Sequence, residues 1–506
     1  MLLNFEKWWH LLKYVDYKRV PIKHYNADER IKTLNMQTLV PYTLEEVVAE
    51  SSRCLGCGLC IQGCPARIDV PGYQIAMANG NIEDALKINF EKLPFVEVCG
   101  NVCPHPCEDS CVLEDNKGSI ATRHIKRYVA ENISDYKDVL KVKVQDLGGH
   151  PSVAVVGAGP AGLTVAFYLS INGIRVDVYE ATDKPGGVMV HGIPAFRLPR
   201  EAIKKEAEHI LSYGGRIFYN TKIGREVPFE KLMNDYSAVY LAVGNWKPTR
   251  TKIEGEDLKG IYHALDFLYR INNGEKIDVG QNVAIIGGGF TAYDAARVSL
   301  RLGARRVAML YRRSDVDRPG YPSSNADEEL EEAEEEKVIF DWETSPFEYT
   351  GENGHVKGLK YWKNQMVDTG KGRRQPVPIK DREYYIDVDT IIEATGQRED
   401  LSFIPQEILE KMKTTPGGDF VVNQYNMTGY PGIFAGGDIT NKRKDIISGV
   451  ADSGRASMGI LLYLKELGKI ERVPQRLTNY EGGPYSITYY EMEDKEAPGV
   501  SPNPTE

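Results

Sequence analysis

The sequence predicts a helical N-terminal region followed by a larger α/β region that contains two nucleotide-binding βαβ units. All 8 cysteines of the 506 residues lie between Cys54 and Cys111, which indicates a local inorganic site in a first domain. Two stretches, 152–180 and 282–313, each place a glycine-rich turn between a β-branched apolar run and an amphipathic helix. This order is typical of dinucleotide-binding βαβ units.

Length and charge exclude several other classes of protein. At roughly 150 residues per domain, 506 residues indicate about three domains. The formal net charge of -10 does not favour nucleic acid or an anionic membrane as the partner. No window reaches the ~18 apolar residues that a membrane span needs, and charged residues interrupt the N-terminus before a signal-peptide core could form. We therefore expect a cytoplasmic protein with no transmembrane segment.

The cysteines form two groups with regular spacing. The first follows C-x2-C-x2-C-x3-C with Pro65 directly after it, which is the spacing of bacterial ferredoxins. The second recurs at every fourth residue, and Pro104 and Pro106 prevent one continuous helix there. Two 4Fe-4S clusters are favoured over two zinc sites, because zinc modules separate their cysteine pairs by about 12 residues or more. The groups are Cys54, Cys57, Cys60 and Cys64, and Cys99, Cys103, Cys107 and Cys111.

The first glycine-rich turn is a G-x-G-x-x-G fingerprint that lets the backbone approach a pyrophosphate at a helix N-terminus. Glu180 ends the next strand, where a carboxylate binds ribose hydroxyls, and this fits FAD or NAD. The motif IFAGGD favours FAD, because Asp438 is placed to accept from a ribityl hydroxyl ahead of a helix expected at about 445–463. The predicted FAD residues are Gly157, Gly159, Pro160, Ala161, Gly162, Glu180, Gly187, Arg197, Gly437 and Asp438.

The second fingerprint is followed by basic residues. Tyr311, Arg312 and Arg313 end the strand at which an acidic residue would select NAD. A guanidinium can clasp a 2′-phosphate, and Tyr311 or an arginine can stack on adenine, so NADPH is preferred over NADH. The alternative is that these arginines are only exposed charge at a strand end. The predicted NAD(P)H residues are Gly287, Gly289, Phe290, Thr291, Ala292, Arg312 and Arg313.

Three further segments are interpreted without a chemical role. The acidic run 327–336 is predicted to be a solvated helix face. The N-terminal segment around Trp8 and Trp9 is predicted to be an amphipathic helix that packs on the protein itself, with docking on a partner or a membrane surface as the alternative. The acidic, proline-rich C-terminus is predicted to be a mobile or partner-wrapping tail.

Together these motifs resemble the small subunit of bacterial glutamate synthase and its relatives, the large subunit of NADH-dependent ferredoxin:NADP oxidoreductase and the N-terminal half of dihydropyrimidine dehydrogenase. The resemblance covers about residues 35–470 and rests on CLGCGLCIQGCP, CGNVCPHPCEDSCV, VGAGPAGL, KPGGVMVHGIPAFRLPRE, GGGFTAYDAAR, YRRS and IFAGGD, in that order. It implies an α-helical iron-sulfur domain followed by an α/β flavoprotein with two dinucleotide-binding domains. The predicted boundaries are 1–145 for the iron-sulfur domain, 146–270 and 385–475 for an interrupted FAD domain, 271–384 for an inserted NAD(P)H domain, and 476–506 for the tail.

The resemblance also implies that the cluster ligands cross between the two cysteine groups. Three cysteines of the first group join the last of the second, and the other cluster takes three cysteines and a Glu or Gln about fifteen residues further on. Aligning ATRHIKRYVAE places Lys126 at that position, and a protonated amine cannot bind iron. We hypothesise that Cys99 takes the fourth place; His124 is the next candidate, and a three-ligand cluster or no cluster remain open. The implied sets are Cys54, Cys57, Cys60 and Cys111, and Cys64, Cys103 and Cys107.

The function implied is electron transfer. A hydride carries two electrons, an iron-sulfur cluster accepts one, and a flavin can connect the two. We expect an NAD(P)H-dependent oxidoreductase subunit that passes electrons from NADPH through FAD and two 4Fe-4S clusters to a partner enzyme in a hetero-oligomer. No catalytic acid or base beyond the flavin is expected. The alternatives are a self-contained or bifurcating NAD(P)H:ferredoxin oxidoreductase with ferredoxin as acceptor, and a non-catalytic assembly subunit.

Overall fold

The computed structural model describes residues 18–370 and 373–478. The predicted amphipathic helix around Trp8 and nearly all of the predicted tail lie outside these residues. The chain divides into two compact units. A helical unit contains the described residues 18–22, 41–145 and 475–478, and a larger α/β unit contains residues 23–40 and 146–474. Segment 23–40, with helix α1 (Ala27–Arg30), thus belongs to the α/β unit.

The helical unit consists of short helices whose ends are set by local side chains. Thr43 begins one helix with a reciprocal capping box to Glu46, and Asp69 caps another by accepting from the Gly72 N–H. Its helices are α2 (Leu44–Ser51), α3 (Leu59–Gly63), α4 (Val70–Ala78), α5 (Ile82–Phe90), α6 (Val96–Val102), α7 (Pro106–Asp109), α8 (Glu114–Lys117), α9 (Thr122–Glu131) and α10 (Tyr136–Leu140).

Two five-stranded parallel sheets form the centre of the α/β unit. Their central strands are nearly continuous apolar runs, because both faces of a parallel sheet are buried. On the second sheet, helices pack against one face and antiparallel strands against the other. Across the first sheet the strands are β15 (Ile433–Ala435), β4 (Ala238–Leu241), β1 (Ser152–Val156), β2 (Arg175–Tyr179) and β3 (Arg216–Phe218). Across the second they are β6 (Ile261–His263), β13 (Thr390–Glu393), β7 (Asn282–Ile286), β8 (Arg306–Tyr311) and β9 (Ile339–Trp342).

A separate three-stranded antiparallel sheet follows β9, and a two-stranded ladder joins β5 (Lys247–Pro248) to β14 (Gln397–Arg398). The antiparallel strands are β10 (Thr344–Glu352), β11 (His355–Val367) and β12 (Gln375–Asp387). The remaining helices are α11 (Pro160–Ile171), α12 (Val188–His191), α13 (Arg200–Leu211), α14 (Phe229–Asp235), α15 (Ala264–Asn272), α16 (Phe290–Arg301), α17 (Ser324–Glu335), α18 (Gln406–Met412) and α19 (Ile446–Glu466). None of the helices described combines the length and apolar character needed to cross a membrane.

The two βαβ units lie where the sequence predicts them. Each begins in the central strand of its sheet, β1 or β7, and passes through a glycine turn into α11 or α16. The helix expected at about 445–463 is also present, as α19. Strand pairing carries the second sheet beyond the predicted NAD(P)H domain, because β7 pairs with β13 and β13 pairs with β6. In the sequence, β6 precedes the predicted domain and β13 follows it. The predicted domain boundaries themselves stay predictions.

The interpretation of the acidic run as a solvated helix face is wrong for one side of α17. Glu329 and Glu332 are buried, as is Glu336 just after the helix. The fully buried Arg297 binds Glu332 and Glu336, and Arg30 from segment 23–40 donates to Glu336 at 2.7 Å. The sequence of the acidic run by itself does not reveal these arginines, because they come from distant parts of the chain.

Candidate functional site

At two positions of the first glycine turn, neighbouring backbone atoms leave no room for a side chain. Gly157 has a φ of 101°, and a Cβ there would lie 2.5 Å from the Ala242 carbonyl oxygen. A Cβ on Gly162 would lie 1.9 Å from the Gly157 carbonyl oxygen. Gly159 is more open, because the nearest atom to its added Cβ is the Gly187 Cα at 4.0 Å. The turn therefore offers a bare backbone cradle of the kind that a pyrophosphate requires.

Glu180 is held beside this cradle at the end of β2. One carboxylate oxygen accepts from the Ala158 N–H at 2.8 Å. The other accepts from the N–H and the hydroxyl of Thr182, both at 2.8 Å. The side chain is buried, with 6% exposed. This is the position from which a carboxylate binds the ribose of a dinucleotide.

The GGD loop from the far end of the chain lies against the start of α11. A Cβ on Gly437 would lie 3.0 Å from the Ala161 Cβ, and the Ser453 hydroxyl donates to the Ala161 carbonyl at 2.9 Å. Within the described residues, no side chain forms a hydrogen bond or ion pair with the Asp438 carboxylate. Burial raises the pKa of Asp438 to about 6; Lys444 opposes this rise, and three neighbouring aspartates add to it. An unpartnered carboxylate beside a glycine cradle fits the ribityl chain of FAD.

Asp452 on α19 fixes this loop, although the sequence alone did not identify it. The buried carboxylate accepts from the Gly437 N–H at 3.2 Å, the Thr440 hydroxyl at 2.9 Å and the Asn441 amide at 3.0 Å. It therefore positions the backbone that presents Asp438. Its sequence context is an ordinary helix, so only the folded contacts distinguish it.

The second glycine turn repeats the first. Gly287 has a φ of 146°, and a Cβ there would lie 2.4 Å from the Ala394 carbonyl oxygen, just as Gly157 meets Ala242. A Cβ on Gly288 would lie 2.7 Å from the Tyr311 ring. Tyr311 is buried, with 7% exposed, so its ring packs on the turn itself. Gly289 is the N-cap of α16, which then begins with Phe290, Thr291 and Ala292; Ala292 is fully buried.

Two predicted arginines follow Tyr311 at the end of β8. Arg312 is exposed and Arg313 is half-buried. Burial lowers the pKa of Arg312, and the positive charges of Arg313 and Arg373 lower it further. Basic groups therefore gather at the point where Glu180 stands in the first βαβ unit.

Arg197, predicted to contact FAD, is engaged with the second nucleotide-binding unit. Its guanidinium binds both carboxylate oxygens of Asp294 on α16, at 2.8 and 2.9 Å, and also binds Glu329 on α17. Burial and the neighbouring carboxylates act on all three groups, and the pKa of Glu329 rises to about 7. The role of Arg197 at the flavin stays a prediction.

Four partly exposed cysteines in the helical unit lie near one another. Burial raises the pKa of the Cys60 thiol to about 12, and the neighbouring sulfurs of the group add to this rise. No disulfide joins any of the eight cysteines. We call this group the exposed cysteine set: Cys54, Cys57, Cys60 and Cys111.

The other four cysteines are buried and surround Lys126. The Lys126 side chain on α9 is 4% exposed. Burial alone would lower the pKa of its ammonium group, but the four sulfurs raise it above the ordinary value. We call this group the buried cysteine set: Cys64, Cys99, Cys103 and Cys107.

Helix packing brings the buried cysteine set and Lys126 together. Cys99 and Cys103 are one turn apart on α6, where the Cys103 N–H donates to the Cys99 carbonyl at 3.2 Å. A Cβ on Gly100 would lie 2.6 Å from the Arg127 Cα, so α6 and α9 touch beside these residues. The Cys107 sulfur lies 3.2 Å from the Thr122 hydroxyl, one turn before Lys126 on α9.

The donor chemistry of both sets fits iron-sulfur ligation, since each offers four cysteines outside any disulfide. In residues 18–370 and 373–478, no group of three or more His, Cys, Asp or Glu side chains is arranged to hold a single metal ion.

Two protein families match the chain over defined ranges. Residues 30–137 match the family described as dihydropyrimidine dehydrogenase domain II, 4Fe-4S cluster. Residues 151–456, more than half of the chain, match the family described as pyridine nucleotide-disulphide oxidoreductase. The chain belongs to this oxidoreductase family.

Named relatives of this oxidoreductase include subunits of larger enzymes. This chain is 32% identical over 452 residues to the glutamate synthase [NADPH] small chain of Escherichia coli, and the match covers 84% of this chain and 93% of that one. It is 34% identical over 431 residues to the NADP(+)-dependent formate dehydrogenase subunit beta of Moorella thermoacetica, and that match covers 80% of this chain but only 60% of the relative. The chain thus spans less than two thirds of the length of the Moorella relative.

A solved structure shares the α/β fold of this oxidoreductase. Mycobacterium tuberculosis FprA in complex with NADPH superposes with a TM-score of 0.51 at 20% identity, covering 64% of this chain and 87% of that one. The matches confirm the predicted relationship to glutamate synthase small chains, the helical iron-sulfur region followed by an α/β flavoprotein, and the assignment as an oxidoreductase. The predicted cofactors, FAD, NADPH and 4Fe-4S clusters, are confirmed as well.

Proposed function

We propose that this oxidoreductase is an electron-input subunit, which takes hydride from NADPH and delivers electrons through 4Fe-4S clusters to a partner enzyme. One observation carries the proposal: a single α/β unit holds two glycine cradles, one beside the carboxylate of Glu180 and the other beside the guanidinium groups of Arg312 and Arg313. The same chain carries two four-cysteine sets. These are the parts needed to receive two electrons together and release them singly.

Each cradle has a distinct binding task in this proposal. The first cradle, Glu180 and Asp438 hold FAD, which supplies the conversion between two-electron and one-electron transfer. The turn at Gly287 and Gly289 holds the pyrophosphate of NADPH against the start of α16. No side-chain acid or base has to move a proton for hydride transfer, so the work of the chain is to bind and orient.

We propose further that each cysteine set binds one cluster, with Cys99 as the fourth ligand of the second. Cys99 shares a buried helix face with Cys103, and α6 touches α9 directly beside them. Lys126 supplies a positive charge, but no donor atom for iron, at the position of the family's Glu or Gln.

Iron analysis and EPR of a Cys99→Ser variant test this ligand set. We expect the variant to lose the signal of one cluster and roughly half of its iron, because a hydroxyl is a poor substitute for a thiolate. The neighbouring His124→Ala variant is the matched comparison and should keep both signals. An unchanged Cys99→Ser spectrum would exclude Cys99, and loss confined to His124→Ala would assign the histidine instead.

The partner is proposed as a class only. Relatives named as a glutamate synthase small chain and as a formate dehydrogenase subunit beta support a hetero-oligomer in which the terminal reaction occurs on another polypeptide. A reducing cytoplasm suits cysteines that bind clusters as thiolates.

Anaerobic purification from the native source, followed by NADPH addition, tests the function. We expect a second subunit to copurify, and NADPH to bleach the flavin absorbance and produce EPR signals from reduced clusters. A flavin that stays oxidised under NADPH would contradict the proposal. If the chain runs alone and reduces ferredoxin at full rate, the self-contained NAD(P)H:ferredoxin oxidoreductase replaces the subunit.

A further inference from the structure

Three guanidinium groups meet at the end of β8, and one of them comes from a distant part of the chain. Arg312 and Arg313 follow the strand directly. Arg373 is exposed and lies two residues before the antiparallel strand β12 begins. Its guanidinium donates a hydrogen bond to the Tyr311 hydroxyl at 2.8 Å. Because the Tyr311 ring packs on Gly288, Arg373 is attached to the glycine turn through a single side chain.

This arginine group has no acidic partner in the part of the chain that the structure describes. No carboxylate there forms an ion pair with Arg312, Arg313 or Arg373. The adjacent basic residues differ in this respect: Arg374 binds Asp317 at 2.7 Å, and Arg318 binds Asp327. Three uncompensated positive charges in one place repel one another unless an anion joins them.

The backbone on both sides of the group is held in place. The Asn364 amide of β11 donates to the Arg312 carbonyl at 2.7 Å. The Arg313 guanidinium donates to the Arg374 carbonyl at 3.2 Å, and Arg374 itself donates to the Ser314 hydroxyl at 2.8 Å. The antiparallel sheet is therefore pinned to the end of β8 on either side of the arginine group. Its arginines are presented from a fixed frame, as a binding site requires.

The repeat within the α/β unit indicates which part of a nucleotide the group faces. After β2, Glu180 stands where a carboxylate takes ribose hydroxyls. In the second sheet, whose register pairs Ile286 with Leu310 as the first pairs Val156 with Tyr179, the matching position is Tyr311. Arg312 follows it directly, and Arg373 donates a hydrogen bond to its hydroxyl. Guanidinium groups bind phosphate through paired hydrogen bonds, so the chemistry there suits a ribose that carries a phosphate.

We propose that Arg373 is a specificity-determining residue for NADPH, which binds the 2′-phosphate together with Arg312 and Arg313. This inference rests on the proposed function, and it adds a residue that lies about sixty positions after Arg312 and Arg313 in the sequence. It also assigns a role to the antiparallel sheet, whose long strands β11 and β12 flank the connection that carries Arg373.

Calorimetric titration of the FAD-loaded protein with two small probes tests the inference without turnover. The probes are 2′,5′-ADP, which carries the 2′-phosphate, and 5′-AMP, which differs from it only in lacking that phosphate. We expect Arg373→Ala to weaken binding of 2′,5′-ADP at least tenfold and to change binding of 5′-AMP less than twofold. Arg373→Lys should recover part of the loss, because it keeps the charge without the planar fork.

Arg382→Ala is the matched control. Arg382 is an arginine on β12, the strand that begins just after Arg373, and it lies against the Tyr384 ring. This variant should bind both probes as wild type does. Unchanged discrimination between the probes in Arg373→Ala would overturn the inference. An equal loss of both probes would also overturn it, because the residue would then act on the adenosine 5′-phosphate that both probes share, or on the fold. Failure of the wild type to prefer 2′,5′-ADP would instead count against the NADPH function itself.

Discussion

At the scale of single residues, the glycines are the most constrained positions. Gly162 and Gly157 pack backbone against backbone, and the second turn repeats the arrangement at Gly287. A glycine in such a turn cannot be replaced, because the obstacle is a carbonyl group that has nowhere to move. These positions follow from the sequence motif, since the motif records this local geometry.

Gly162→Ala tests the first cradle. The added methyl would lie 1.9 Å from the Gly157 carbonyl, so we expect α11 to shift and FAD content to fall at least tenfold. The flavin absorbance of the purified protein measures the FAD content. Gly454→Ala on α19 is the control, since nothing lies within 4 Å of its added Cβ, and it should keep its FAD and gain up to about 1 kcal/mol of stability from the higher helix propensity of alanine. Normal FAD content in Gly162→Ala would contradict the assignment.

Asp438→Asn tests the unpartnered carboxylate. Burial raises the pKa of Asp438 from 3.8 in the unfolded chain to about 6, so the folded FAD-free protein disfavours the charged form. Its stability should therefore fall as pH rises from about 4 through about 6, and the amide variant should escape this loss. We expect the melting temperature of the variant, relative to wild type, to increase over that interval and then stay constant. A difference that does not change with pH would refute the burial of this group.

At the scale of secondary-structure elements, an ionic network joins α1, α16 and α17. Burial would raise the pKa of Glu336, but hydrogen bonds and charge from Arg301 and Arg297 hold it at about 2. Arg30 is fully buried in the same network. Removing one member of a buried network leaves the others without compensation, which costs more than the intact network contributes.

Arg30→Ala tests this network. We expect the free energy of unfolding to fall by about 3 kcal/mol, measured by urea denaturation. The effect should shrink as pH falls from about 4.5 towards 2, because Glu336, whose folded pKa is depressed, then becomes protonated. The control is Lys337→Ala, which breaks the exposed pair between Asp28 on α1 and Lys337 just after α17 and should cost about 0–1 kcal/mol. Equal effects of the two variants would show that the buried network is not specially stabilising.

At the scale of the whole molecule, the chain combines two units with separate tasks. The helical unit carries every cysteine, and the α/β unit carries both glycine cradles. Each unit has its own buried residues, so unfolding of the chain need not be a single two-state event.

FAD removal tests how stability is divided between these units. We expect bound FAD to raise the free energy of unfolding of the α/β unit by about 2.7 kcal/mol when the FAD concentration is a hundredfold above its dissociation constant. The melting temperature of that unit should rise accordingly. The melting temperature of the helical unit, at which the cluster absorbance is lost, should rise less. Scanning calorimetry, recorded in parallel with cluster absorbance, measures both transitions. An identical shift of the two transitions would show that the units unfold as one.

The amino-acid order alone locates the cysteine groups, the two βαβ units and the glycine cradles, because these depend on spacing within a few residues. It also indicates the preference for NADPH, through the arginines that directly follow β8. Only tertiary structure brings Arg373 to those arginines, places Asp452 under the GGD loop, surrounds Lys126 with four buried cysteines, and buries one side of an acidic helix against arginines. Each of these contacts joins residues that are far apart along the chain or on separate helices, and no local pattern encodes which distant charge a side chain will meet once the hydrophobic cores have packed.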